Sequence, residues 1–262
     1  MTNAADREPP FRGTWRLIWR LPLFGLHALF GLPLTLCCFL PVVRGLPAGG
    51  MPLRLRAHMT WQRWTLRLFG VRLRVTGRLP EGPCLVVANH ISWLDIVMLQ
   101  SLWPMWLVAK SEIRRWPLIG WLAELGGTLF IERGRLDSRR RVGRRMAALL
   151  RRGHTIGVFP EGGIRPEPGV GRFHAPLFAP AVRTRAAVVP VAIRYQRDGL
   201  DLHEDVVFSS GESFPRNLLR LLAQRPLDGR LSIGTALHDC ARGRRALAEQ
   251  SAATVRRLYA EG

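Results

Sequence analysis

Leu85 to Asp95 reads LVVANHISWLD, an apolar run delivering His90 and, five residues later, Asp95. A histidine at the mouth of a buried strand is exposed enough to act while its neighbours are rigid. A carboxylate about one helical turn on can accept its ring N–H, which fixes the tautomer and raises basicity, as a general base for a hydroxyl requires. The same spacing also serves helix caps and surface ion pairs, so the pair needs support from elsewhere in the chain. Ser92 and Cys84 lie close by, and no G-x-S-x-G or other nucleophile motif surrounds either. Ser92 reads as a cap of the helix that follows.

Three further segments, each attached to an apolar strand-like run, supply that support: GTLFIER (Gly127 to Arg133), FPEGG (Phe159 to Gly163) and VVPVA (Val188 to Ala192). With NHISWLD they stand in the order and approximate separations of the four blocks of the glycerolipid acyltransferase family, which the chain resembles between about Leu66 and Tyr195. Within that family it is most similar to bacterial 1-acylglycerol-3-phosphate acyltransferases and lyso-ornithine-lipid acyltransferases. Even Val108 to Gly134, VAKSEIRRWPLIGWLAELGGTLFIERG, looks like the family's connection between its first two blocks.

The resemblance implies that His90 deprotonates an acceptor hydroxyl and Asp95 orients it. The oxygen then attacks a fatty acyl thioester, a donor reactive enough that no covalent acyl-enzyme is required. It also implies acceptor binding by Arg133 of the second block and by Glu161 and Gly162 of the third. A phosphate would want a bidentate cation, and Gly162 and Gly163 could add backbone N–H groups. Read from its surroundings alone, Arg133 simply begins a run with Arg135, Arg139, Arg140, Arg141, Arg144 and Arg145, a solvated or lipid-facing helix surface. No cofactor or metal is implied; acyl-CoA or acyl-carrier protein is the co-substrate, and the acceptor is a lysolipid. Lysophosphatidic acid, giving phosphatidic acid, is the expected acceptor, with lyso-ornithine lipid as the alternative. The alternative arises because Gly163 and Ile164 replace the Thr and Arg that usually follow F-P-E-G, Arg165 falls one place late, and His174 stands where phosphate-accepting members often carry lysine.

The elements that must position these residues follow from periodicity. Cys84–Ala88, 105–109, 128–132, 155–159 and 187–195 read as buried strands, and they alternate with helices near 89–104, 116–125, 137–151 and 175–183. That alternation predicts an α/β layered domain, a central, mostly β-sheet core flanked by helices. Past residue 200 short strands are expected near 205–208 and 230–233, with helices over 214–222 and from 242.

Leu21 to Val43 holds 23 residues without a charge, about 35 Å as continuous helix at about 1.5 Å per residue, enough to cross a bilayer core of about 30 Å. Pro22, Pro33 and Pro41 with Gly25 and Gly31 interrupt it, and arginines crowd both flanks, so both flanks are expected on the cytoplasmic side and a hairpin is favoured over a single span. Residues 53–69 read as a basic, tryptophan-bearing helix suited to a membrane surface. The division expected is therefore a membrane-associating segment at 1–50 and an acyltransferase domain at 51–262, placed on the inner membrane with the active site facing the cytoplasm.

Composition agrees. The net charge is +20, and since Lys110 is the only lysine, 38 of the 39 basic residues are arginine. That charge suits an anionic membrane surface or nucleic acid. The nucleic-acid class lacks any helix-turn-helix, zinc-finger or RNP pattern, and an apolar 23-mer would be a liability there. A non-catalytic lipid binder is disfavoured by the presence of both His90 and Asp95. Cys37, Cys38, Cys84 and Cys240 show neither disulfide-framework nor zinc-ligand spacing.

Overall fold

The computed structural model describes residues 14–116, 119–132, 134–208 and 211–262. Contacts divide the chain into two compact units, 1–74 with 92–104 and 195–229, and 75–91 with 105–194 and 230–262.

The second unit carries the strands expected to frame the site. Strands β4 (Cys84–Ala88), β5 (Trp106–Lys110), β6 (Thr128–Ile131), β7 (Ile156–Val158) and β8 (Ala187–Arg197) run in spatial order β8-β4-β7-β5-β6. Every neighbouring pair in that run is parallel. All five residues of β4 are buried, which explains why the strand reads as a continuous apolar run rather than an alternating one. Gly157 in β7 is a packing requirement, since a β-carbon there would lie 2.7 Å from Met105 Sδ and 2.8 Å from Leu107 Cδ2. Helix α6 (Leu136–Arg151) turns Val142, Met146, Leu149 and Leu150 into the core and its arginines outward, as its periodicity predicts. Helices α7 (Ala179–Thr184) and α10 (Gly243–Glu261) complete this layer, with Ala181, Leu247 and Val255 in the same core, and α5 (Ile119–Leu125) lies between β5 and β6 in the chain.

The first unit is mainly helical. Helix α1 (Thr14–Leu26) passes through a π-helical turn, His27–Gly31, into α2 (Leu32–Cys37). The run expected to break is thus continuous helix through Pro22, and the chain turns only after Cys37. A two-strand hairpin, β1 (Pro47–Ala48) with β2 (Met51–Pro52), leads into α3 (Leu53–Leu68). The contacts make α3 the antiparallel partner of that long helix: Phe24 meets Phe69 edge-on at 5.6 Å, the His27 and Trp61 rings stack at 5.1 Å, and His27 Nε2 lies 3.1 Å from Thr65 Oγ1. Leu53–Leu68, which follows the uncharged run in the chain, is thus the segment that lies along the long helix. Trp15–Cys37 is long and apolar enough to cross a membrane.

Helix α4 (Leu94–Leu102) packs on α3 through Gln62 Nε2 donating to Gln100 Oε1 at 3.1 Å. Arg20, only 3% exposed, donates through Nη1 to the carbonyls of Leu222 (3.0 Å) and Gln224 (2.7 Å), capping the C-terminal end of α9 (Phe214–Ala223). Strand β3 (Val71–Thr76) lies beside β10 (Leu227–Ile233), and β9 (Leu200–Asp201) pairs antiparallel with the end of β8. The strand expected near 205–208 is instead one helical turn, α8 (His203–Val206). Asp201 Oδ1 accepts the His203 N–H at 2.8 Å, the Asp205 and Val206 N–H groups turn back to Leu202 O, and the Arg220 guanidinium takes the carbonyls of Asp205 and Val207. The layered α/β class holds: a central mixed sheet flanked by helices, with an apolar N-terminal helix.

Candidate functional site

In the second unit the site is built where β4 and β7 end. Asn89, the first residue beyond β4, pairs its side-chain amide with β8 in both directions: Nδ2 donates to Ile193 O at 2.9 Å, and Oδ1 accepts the Ile193 N–H at 2.7 Å. That reproduces a ladder step with a side chain and fixes the chain just before His90. The His90 N–H then donates to Glu161 Oε2 at 3.2 Å, and the half-buried imidazole stacks on Phe159 with centroids 4.0 Å apart and planes 16° from parallel. Backbone and ring are therefore both held.

Glu161 is the hub of the loop after β7. Its Oε1 accepts the Gly171 N–H at 2.7 Å while Oε2 holds His90. Burial pushes its carboxyl above the ordinary value; the Gly171 and His90 N–H groups, and the charges of Arg165 and His90, pull the other way. The carboxylate thus serves the protein's own main chain. Gly162 turns the loop at φ +81°, with its N–H on Phe159 O at 3.2 Å, and a β-carbon there would stand 3.1 Å from the His174 ring. His174 is tied to the same loop by its N–H, 2.8 Å from Pro160 O. Arg165, one place late for the family pattern, lies over Gly171, where Nη1 would be 2.8 Å from a β-carbon. Gly163, the half-buried residue after this turn, belongs to the same loop. Arg133 lies outside the described residues.

In the first unit Asp95 sits fully buried in the opening turn of α4. Its Oδ2 accepts the Ser92 N–H at 3.0 Å and its Oδ1 accepts the Tyr195 hydroxyl at 2.6 Å. Ser92 and Asp95 thereby form one half of a capping box, while Ser92 Oγ stands a long 3.5 Å from the Leu94 N–H. Burial first, and the Asp95 charge second, hold the Tyr195 phenol well above its ordinary value, so it remains a donor. Two residues before Asp95, Trp93 Nε1 donates to Asn217 Oδ1 at 2.9 Å.

The residues that periodicity and motif spacing did not pick out are Asn89, Phe159, Gly171 and Tyr195. Phe159 and Asn89 both stood inside quoted blocks; Gly171 and Tyr195 carried no local signal. Among the described residues no group of three or more His, Cys, Asp or Glu side chains is placed to hold a metal ion. A half-buried histidine, rigid in backbone and ring at the carboxyl ends of parallel strands, is where open α/β sheets present reactive groups, and it can take a proton from a bound hydroxyl.

The acyltransferase family model matches residues 72–194. Over 176 residues, 67% of this chain and 68% of the other, the sequence is 42% identical to the lyso-ornithine lipid O-acyltransferase of Pseudomonas aeruginosa. Over 155 residues, 58% of this chain and 61% of the other, it is 36% identical to the 1-acyl-sn-glycerol-3-phosphate acyltransferase of Neisseria meningitidis serogroup B. The crystal structure of the 1-acyl-sn-glycerophosphate acyltransferase of Thermotoga maritima shares the fold, with a TM-score of 0.64 over 95% of each chain at 21% identity. The chain belongs to the acyltransferase family, and it is an enzyme of that kind.

Proposed function

We propose that this acyltransferase is a membrane-bound enzyme that moves a fatty acyl chain from acyl-CoA or acyl-carrier protein onto the free hydroxyl of a lysolipid in phospholipid synthesis. The observation that carries the reading is the fixing of His90 by Glu161 and Phe159 at the end of β4. In the proposed cycle His90 accepts the hydroxyl proton as the oxygen attacks the thioester carbonyl. The tetrahedral intermediate collapses with cleavage of the C–S bond, and the thiolate recovers the proton from His90. Asp95 is the orienting carboxylate, and Arg133, Glu161, Gly162 and Gly163 bind or shape the acceptor end.

Lysophosphatidic acid is the acceptor that the Arg133 and Glu161-Gly162 blocks support. Lyso-ornithine lipid is a second acceptor, favoured by His174 standing against Gly162 where a lysine would suit a phosphate dianion. The apolar Trp15–Cys37 helix and its arginine flanks favour the inner membrane, with catalysis on the cytoplasmic side. Expression in a strain deficient in lysophosphatidic acid acylation, with lipids read by mass spectrometry, tests the activity. Wild type should restore diacyl lipid, His90→Ala should abolish transfer, and Asp95→Asn should cost about 10² to 10⁴ in rate. Near wild-type turnover in both purified variants would overturn the mechanism. Gly163→Thr with Ile164→Arg should improve use of lysophosphatidic acid; robust acylation of lyso-ornithine lipid with none of lysophosphatidic acid would overturn that acceptor.

A further inference from the structure

Within the second unit, the segment Arg172–Pro176, which runs into a 3-10 turn at Ala175, and one face of α10 line an open recess of about 360 Å³. Its floor is made by Ala248 and Ala252, both buried, whose short side chains leave the space. Its polar wall holds Arg172, His174, Arg244, Arg245, Glu249 and Arg256. On α10, Arg245, Glu249, Ala252 and Arg256 recur at helical spacing, so the charges and one alanine share the face that lines the recess.

Two links tie this recess to the loop that holds His90. His174 faces the recess and abuts Gly162. Arg256 Nε and Nη2 donate to Val170 O (3.3 Å) and Gly171 O (3.1 Å), and Gly171 in turn donates to Glu161, which holds the His90 N–H. Arg256 is thereby engaged by the protein itself. Among the described residues Arg172, Arg244, Arg245 and Glu249 have no side-chain hydrogen bond or ion pair. Three cations and one carboxylate thus face the same space unpaired. Even Arg245 and Glu249, four apart on the helix, do not close on each other.

We propose that this recess is a headgroup subsite for a zwitterionic lysolipid, with Arg172, Arg244 and Arg245 taking the headgroup's anionic group and Glu249 its ammonium. The proposal rests on the acyltransferase reading above and extends it to acceptor choice. The arginines alone would suit any anion, a phosphate monoester included. Glu249 is the discriminating group, because a carboxylate repels a dianion and attracts an ammonium held a few ångströms from an anionic group. The headgroup of lyso-ornithine lipid, with one carboxylate and one side-chain ammonium, has that chemistry.

The test uses the full chain in detergent, assaying lyso-ornithine lipid, its analogue acetylated on the side-chain amine, and lysophosphatidic acid. Wild type should prefer lyso-ornithine lipid over its acetylated analogue by about tenfold in kcat/KM. Glu249→Gln should erase that preference and lower the ratio of kcat/KM for lyso-ornithine lipid over lysophosphatidic acid by a similar factor, chiefly through KM. Arg244→Gln with Arg245→Gln should raise KM for lyso-ornithine lipid. A wild type indifferent to acetylation, a Glu249→Gln variant with an unaltered ratio, or acylation of lysophosphatidic acid alone would overturn the subsite and leave the acyltransferase reading standing. Acylation of none of the three would instead overturn the lysolipid reading itself.

Discussion

The Tyr195 hydroxyl donates to Asp95 Oδ1 at 2.6 Å across a sequence separation of 100 residues, and both side chains are fully buried. With the Ser92 N–H on Oδ2, each carboxylate oxygen has a partner from the protein, which fixes the plane of the group. Tyr195→Phe removes one partner and keeps the ring. The expected cost is about 1.5 to 3 kcal/mol of stability, the range for a hydrogen bond to a charged group, measured by denaturant unfolding. Because Asp95 is the proposed orienting carboxylate, the variant's pH–rate profile should also shift. An unchanged profile with lowered stability would make Tyr195 purely structural.

Glu161 gives a pH dependence whose sign is fixed. Burial raises its carboxyl in the folded state, so the folded chain keeps that proton to higher pH than the unfolded chain does. Folding stability from this group therefore falls as pH rises from the ordinary value of 4.5 through the raised one. Relative to Glu161→Gln, wild type should lose stability over that window in urea unfolding, and a flat difference would refute the assignment. At neutral pH the glutamine turns an NH₂ toward one of the two N–H donors, so transfer should slow by about tenfold or more, from an unsatisfied group costing about 1 to 3 kcal/mol.

Gly162 adopts φ +81°, and a side chain there would meet the His174 ring. Gly162→Ala should cost about 1 to 2 kcal/mol from the left-handed backbone alone. The displaced His174 should raise the acceptor KM more than it lowers kcat. Steady-state kinetics with wild-type values for both parameters would remove the loop from acceptor binding.

The proposed membrane attachment is best tested on exposed residues, since deleting 1–50 would also strip Arg20 from the end of α9. Leu29, Phe30 and Leu34 are 64%, 65% and 71% exposed on the apolar helix. Changing all three to Ser should shift the protein from the membrane pellet toward the supernatant at high salt, at about 1.5 to 3 kcal/mol for each large apolar side chain no longer buried in lipid. Equal pelleting of wild type and variant would refute the proposed attachment through this helix.

What the sequence determined by itself was local. The unbroken apolar run of Cys84–Ala88 announces a strand buried on both faces, because burial on both sides leaves no polar alternation, and it delivers His90 to the strand's open end. The amphipathic stripe of α6 and the site loop after β7 were legible for the same reason: periodicity records which way successive side chains face. Only the tertiary structure decided which distant groups complete each other. Asp95 is satisfied by a tyrosine 100 residues on, and Arg20 caps a helix end 202 residues on at Leu222. Glu161 spends its carboxylate on the His90 and Gly171 main chain. The N-terminal run is continuous helix through Pro22, paired with Leu53–Leu68, because rings and small residues such as Gly31 against Trp61 fit there. A lone pair or an N–H is satisfied by whatever the fold brings within 3 Å, and spacing along the chain holds no record of that.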